Sequence, residues 1–163
     1  MSNEQADGGT IAYPGTFADR AVSLVQSATR YVAIQSPELD HAVFDSAALV
    51  DAMSALARSS RQTQVRILVC DTRRIVSRGH RLLDLSRRLP SAIHIQKLDE
   101  HPSWNGETLV IRDRNGFLFK PADSGHRAFY EEDARATTQR HLEQFQDLWR
   151  LSQPNPNLRA LSL

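Results

Sequence analysis

Apolar residues recur along this chain in helical stripes that alternate with short continuous runs. Phe17, Ala21, Leu24, Val25 and Ala28 repeat at the three- and four-residue spacing of a helix with one buried face. Thr16 followed by Asp19 resembles a capping box at its start. Tyr-Val-Ala-Ile-Gln at 31–35 is an apolar run closed by Ser36 and Pro37, as expected of a buried strand. Asp45 or Ser46 then caps a second helix whose stripe is Leu49, Ala52, Met53 and Leu56.

Residues 65–71, Val-Arg-Ile-Leu-Val-Cys-Asp, form the clearest strand. A basic helix is expected over about 73–89, with Val76, Leu82, Leu85 and Leu89 turned inward and Gly79 as its weak point. Residues 93–98 alternate like a half-buried strand. Segments 107–112 and 117–120 flank Asp113-Arg114-Asn115-Gly116, whose Asn-Gly pair signals a hairpin. A last helix over about 132–152 carries Thr138, His141, Leu142, Phe145, Leu148 and Trp149 on one face, and Pro154 and Pro156 end it.

Helices alternating with short apolar strands imply an α/β fold. The expected architecture is a three-layer sandwich whose sheet is mostly parallel, with an antiparallel edge hairpin. Residues 1–12 are too polar and glycine-rich to add to a core and are expected to be a disordered tail, leaving 13–163 as one domain.

Composition narrows the function classes. A net charge of +1 with 24% charged residues leaves nucleic-acid or membrane affinity to local patches. The single cysteine, Cys70, excludes an internal disulfide and favours a reducing compartment. No apolar run is long enough to span a bilayer, and residues 1–9 are unlike a signal peptide, so a cytoplasmic location is expected.

In open α/β sheets, ligands bind beyond the carboxyl ends of the strands. Those ends bring Ser36, Glu38, Asp40 and His41, then Asp71, Thr72 and Arg73, then Asp99, Glu100 and His101. If the loops converge, Asp40, His41, Asp71 and His101 could do acid–base work; otherwise Asp40 and Asp71 simply cap the following helices. Asp40, His41, Asp99 and His101 are residue types that ligate metals, but none stands at a recognised ligand spacing, and no metal or cofactor is expected. Glycine-rich phosphate loops and a Gly-x-Ser-x-Gly elbow are absent. Arg73, Arg74, Arg78, His80 and Arg81 form a compact basic patch suited to phosphate or carboxylate, or else a solvated face. Aromatic interleaving of the kind that favours single-strand binding is missing there.

Val-Arg-Ile-Leu-Val-Cys-Asp (65–71), Arg-Gly-His-Arg-Leu-Leu (78–83), Leu-Trp-Arg-Leu-Ser (148–152) and Leu158-Arg159-Ala160-Leu161 carry a resemblance. From about residue 16 onward the chain resembles one half of the phospholipase D-like fold, and within it a small bacterial family of domains of unknown function. The resemblance implies a strand bearing His-x-Lys and an aspartate five residues after the lysine. In active members the histidine attacks phosphorus and the lysine holds the phosphate. Here Asp113 keeps its register, while Gly106 stands for the histidine and Thr108 for the lysine. Lys120-Pro121-Ala122-Asp123 stands where Gly-Ser-x-Asn would follow. His94 and Lys97 are spaced onto opposite faces of a strand and do not replace the pair. Active single-half members pair as dimers, so a homodimer is an expected partner state.

The reading that follows is a non-catalytic module that binds a phosphate-bearing ligand or protein partner through the basic patch, with weak nucleic-acid binding in scope. The alternatives are a hydrolase with a rearranged Asp40, His41, Asp71 and His101 site, and a dimerisation domain without ligand.

Overall fold

The computed structural model of the chain describes residues 8–159. In chain order the elements are β1 (Gly8–Ala12), α1 (Gly15–Gln26), β2 (Tyr31–Gln35), α2 (His41–Phe44), α3 (Ala47–Ser59) and β3 (Gln64–Val69). After these come α4 (Arg73–Arg78), α5 (Arg81–Arg88), β4 (Ile93–Lys97), β5 (Thr108–Arg112), β6 (Gly116–Lys120), β7 (Arg127–Glu131), α6 (Arg135–Leu151) and α7 (Pro156–Arg159). The strands form one sheet in the order β1-β7-β6-β5-β2-β3-β4.

Alternation along the strands divides the core between the two faces of this sheet. Val32, Ile34, Val65, Ile67 and Val110 join Phe17, Leu49, Met53 and Leu82 from the helices on one face. Ala33, Leu68, Leu109 and Ile111 join Leu142, Phe145 and Leu148 of α6 on the other. The result is the three-layer α/β sandwich that the sequence implies.

The balance of the sheet differs from the expectation of a mostly parallel one. Only β2-β3 and β3-β4 are parallel; β2-β5, β5-β6, β6-β7 and β7-β1 are antiparallel. The hairpin pairs with β2 inside the sheet, and two further strands extend beyond it. Residues 8–12, expected within a disordered tail, form the edge strand β1. Their glycines hide the strand from propensity, and pairing with β7 supplies what propensity lacks. A Cβ on Gly9 would come within 3.4 Å of the Tyr130 ring, and one on Gly8 within 2.9 Å of Glu131 Oε1, so bare backbone suits this edge. Residues 1–7 and 160–163, including most of the expected tail and the last part of the 158–161 motif, lie outside the described residues.

The expected basic helix is two helices. Gly79 adopts φ 75°, a left-handed conformation that an L side chain resists, and the chain turns there. The break changes the phase of α4: Ile75 is fully buried, whereas Val76, expected inward, is 49% exposed.

Candidate functional site

The carboxyl ends of β2 and β3 are tied together through backbone. The carbonyl of Pro37 accepts the N–H groups of Cys70 at 3.0 Å and Asp71 at 2.9 Å, and Ser36 N–H donates to Leu68 O at 3.0 Å. Beyond that knot, Asp40 caps α2 by accepting the Ala42 N–H at 3.0 Å and also accepts the Tyr13 hydroxyl at 2.8 Å. Burial first, and then the Asp40 carboxylate, push the Tyr13 phenol above its ordinary range. His41 donates through Nε2 to Gly79 O at 2.8 Å, and its ring lies 4.7 Å from that of His80.

His80, expected among the ligand-binding residues, is buried and caps α5 instead. Its Nδ1 accepts the Leu82 N–H at 3.1 Å, which leaves Nε2 to donate to the Leu39 carbonyl at 3.0 Å. Leu39, itself fully buried, holds φ 56°. Burial pulls the His80 imidazole down to about 4, so the neutral form that makes both bonds prevails at neutral pH. A histidine next to glycine after a basic stretch gave no sign of this, because the partner is 41 positions away.

The arginines divide by partner. Arg73 forks onto Asp71 through Nε at 3.0 Å and Nη2 at 2.6 Å, and Asp71 also accepts the Arg73 N–H. Those hydrogen bonds hold the Asp71 carboxyl down at about 2. Arg81 is bound to Asp45 through its backbone N–H at 2.9 Å and through Nη1. Arg74 meets Glu38 at 3.7 Å, beyond hydrogen-bond range, with most of its side chain exposed. Arg78 is exposed and has no ion-pair partner among the described residues.

Asp71 and His101, two of the four candidate acid–base residues, line different clefts among the described residues. Asp71 lines a cleft of about 560 Å³ with Cys70, Thr72, Arg73, Lys97 and Glu100. His101 lies in a neighbouring one with Trp104 and Asn105, its Nδ1 accepting the Ser103 N–H at 3.0 Å. Asp40 and His41 are engaged with Tyr13, Ala42 and Gly79. Asp40 caps α2, whereas Asp71 stands one residue before Thr72, the N-cap of α4, and is taken up by the Arg73 backbone and guanidinium. Among the described residues, no group of three or more His, Cys, Asp and Glu is placed to hold a metal ion.

Of the residues in the motif register, Gly106 precedes β5 with φ 105° and Thr108 is buried opposite Lys120 of β6. Asp113 turns its carboxylate away from both, onto the start of β2. Trp104 is buried and donates Nε1–H to Glu107 O at 3.0 Å.

Two features escaped the sequence reading. Arg112 is buried, donating to Ser27 Oγ at 2.9 Å, to Asn115 Oδ1 at 3.2 Å and to the Glu132 carbonyl. Gln35 is only 5% exposed at the end of β2. Their one sequence signal is a polar residue closing an apolar strand.

This mixed sheet between helical layers is a phospholipase D-like fold. It is similar to Nuc, a phospholipase D family member from Salmonella typhimurium, with TM-score 0.63 and 13% identity over 91% of this chain and 97% of that one. NucT from Helicobacter pylori gives TM-score 0.60 and 15% identity over 91% and 98%. TrmBL2, an archaeal chromatin protein with a novel mode of DNA binding, gives TM-score 0.67 and 11% identity over 95% of this chain. This chain spans 57% of the length of TrmBL2. At such identities the likeness is one of fold. The chain belongs to DUF7931, a domain of unknown function, whose family model matches residues 14–161. No curated protein matches the chain in sequence.

Proposed function

We propose that this chain is a cytoplasmic phospholipase D-like module that binds a phosphate-bearing ligand, or a partner protein presenting one, through α4, and does not hydrolyse it. The observation that carries the reading is the state of the α4 guanidinium groups. Arg74 and Arg78 are exposed on one short helix, the first only loosely met by Glu38 and the second unpaired among the described residues. Arg73 is oriented beside them by Asp71. Guanidinium groups presented this way suit phosphate oxygens, which accept two parallel N–H bonds. His80 leaves the set because it is buried, and Arg81 is peripheral because Asp45 holds it.

The absence of hydrolysis is read from the motif register. Gly106 has no nucleophile and Thr108 no charge, so the degenerate motif would lack both attack on phosphorus and clamping of phosphate. Pairing with a second copy, as the resemblance implies, would double the arginine surface. The DNA-binding role printed for TrmBL2 makes DNA a reasonable probe.

The test is fluorescence anisotropy with a labelled DNA oligonucleotide across a salt series. Binding should weaken as salt rises, because phosphate contacts release counterions. Arg74→Ala with Arg78→Ala should weaken it by roughly tenfold or more, while Arg81→Ala should change it little. Salt-independent binding, or binding indifferent to the double variant, would remove α4 from the reading. Turnover of bis(p-nitrophenyl) phosphate that His41→Ala abolishes would favour the rearranged hydrolase instead.

A further inference from the structure

On the α6 face of the sheet, away from the arginines of α4, lies a small pocket of about 50 Å³ lined by Gln35, Glu107, Leu109, Phe119, His141 and Gln144. Strand register builds its floor: Gln35 of β2 lies opposite Leu109 of β5, which lies opposite Phe119 of β6. His141 and Gln144 come from successive turns of α6. Gln35 is only 5% exposed, and its side-chain amide has no hydrogen-bond partner among the described residues. Only the Tyr31 hydroxyl and the Thr138 hydroxyl are buried without a partner among the described residues, so the Gln35 amide reaches the space of the pocket, where a ligand can take the place of water.

The other walls show what would meet it. The His141 ring packs 4.7 Å from Phe117 and 5.0 Å from Phe119 and makes no hydrogen bond among the described residues. Burial, and then the Arg140 charge, lower its pKa, so the ring is neutral at pH 7 and offers one acceptor and one donor. Glu107 spends Oε1 on the Asn105 N–H at 2.7 Å and keeps Oε2. Gln144 donates Nε2–H to Ser103 O at 3.3 Å and keeps its carbonyl. Acceptors outnumber donors, the only formal charge among the lining residues is negative, and Phe119 borders the space. An anion is disfavoured there, and a compact cation that donates several N–H groups fits.

We propose that this pocket binds the primary ammonium end of a small amine. Gln35 Oε1, the free Glu107 oxygen and the Gln144 carbonyl would accept its N–H groups, and Phe119 would border its carbon stem. The volume admits about two heavy atoms of water size, so the head group enters and any longer chain stays outside. The proposal is independent of α4, which attracts the opposite charge.

The test is an NMR titration of the full chain with ethylammonium chloride at constant ionic strength, with acetamide and acetate as comparison probes. The readouts are the Gln35 side-chain NH2 and His141 ring resonances. Ethylammonium should shift both saturably, acetate should shift neither, and acetamide should bind more weakly. Glu107→Gln, nearly isosteric, should weaken ethylammonium by roughly fivefold, and Gln35→Leu should abolish the saturable shift at His141. Thermal unfolding of each variant establishes that it is folded. Shifts that never saturate, acetamide binding as tightly as ethylammonium, or indifference to Glu107→Gln would overturn the assignment and leave a pocket that holds only water.

Discussion

The carboxylate of Asp113, in the turn of the β5-β6 hairpin, accepts the backbone N–H of Arg30 at 2.8 Å from 83 positions away. It also accepts from Tyr31 N–H at 3.0 Å and from Thr29 through both N–H and hydroxyl, while Asp113 N–H donates to Tyr31 O at 2.8 Å. One side chain thus satisfies the donors at the start of β2 and locks the hairpin against it. Asp113 has φ 50°, a conformation that aspartate tolerates better than most residues. Asp113→Ala should destabilise the protein by about 2–3 kcal/mol in chemical denaturation, and Asp113→Asn by less, since it keeps an acceptor and the turn conformation. A change within about 0.5 kcal/mol for the alanine variant would show that the hub carries no weight.

His80 gives the protein a pH dependence of definite sign. Its folded-state value is about 4, below the ordinary 6.5, so between those values the unfolded chain binds the extra proton. The stabilisation from the neutral ring is complete above about pH 6.5 and is lost as pH falls toward 4, with a slope of up to about 1.4 kcal/mol per pH unit. Asn at this position can still cap α5 but does not titrate. Unfolding free energies of His80→Asn measured from pH 7 to 4 should lack this slope; an unchanged slope would place its origin elsewhere.

Gly79 separates α4 from α5 by conformation alone. A Cβ there would meet nothing within 4 Å, so Gly79→Ala should cost about 1–2 kcal/mol, the penalty of the left-handed backbone without a clash. Thermal unfolding measures it, and a neutral or stabilising result would contradict the φ of 75°.

Gly116 has the opposite character. A Cβ there would come 2.7 Å from Arg112 Nη2 and 2.8 Å from its Cζ, and the guanidinium is held by Ser27, Asn115 and Glu132. Gly116→Ala should therefore destabilise by displacing Arg112. Arg112→Ala should cost about 3 kcal/mol, because it leaves a cavity and frees buried acceptors together. In a double-mutant cycle the two losses should be less than additive, since the second substitution meets a site already broken. Full additivity would separate the two residues.

The strands at 31–35, 64–69, 93–97, 108–112 and 116–120 were legible as short apolar or alternating runs bounded by turn residues, and the three long helices because each buries a stripe at helical spacing. β1 and β7 were not, since Gly-Gly-Thr-Ile-Ala and Arg-Ala-Phe-Tyr-Glu carry little alternation and are held by pairing with each other and with β6. The break at Gly79 was signalled as a weak point, but the resulting exposure of Val76 was not.

The site residues divide the same way. That arginine crowds one edge, and that Gly106 and Thr108 stand in the motif register, is written in the order of residues. Which arginine is neutralised, and that His80 turns inward, depends on Asp45, Glu38 and Leu39, whose distance along the chain carries no local signal. The unpartnered amide of Gln35 beside His141 arises only when β2, β5 and α6 pack together. Periodicity is a local property and survives in the sequence; the partner of a polar group is a long-range one, decided when the layers close and each buried donor or acceptor meets what the opposite element presents.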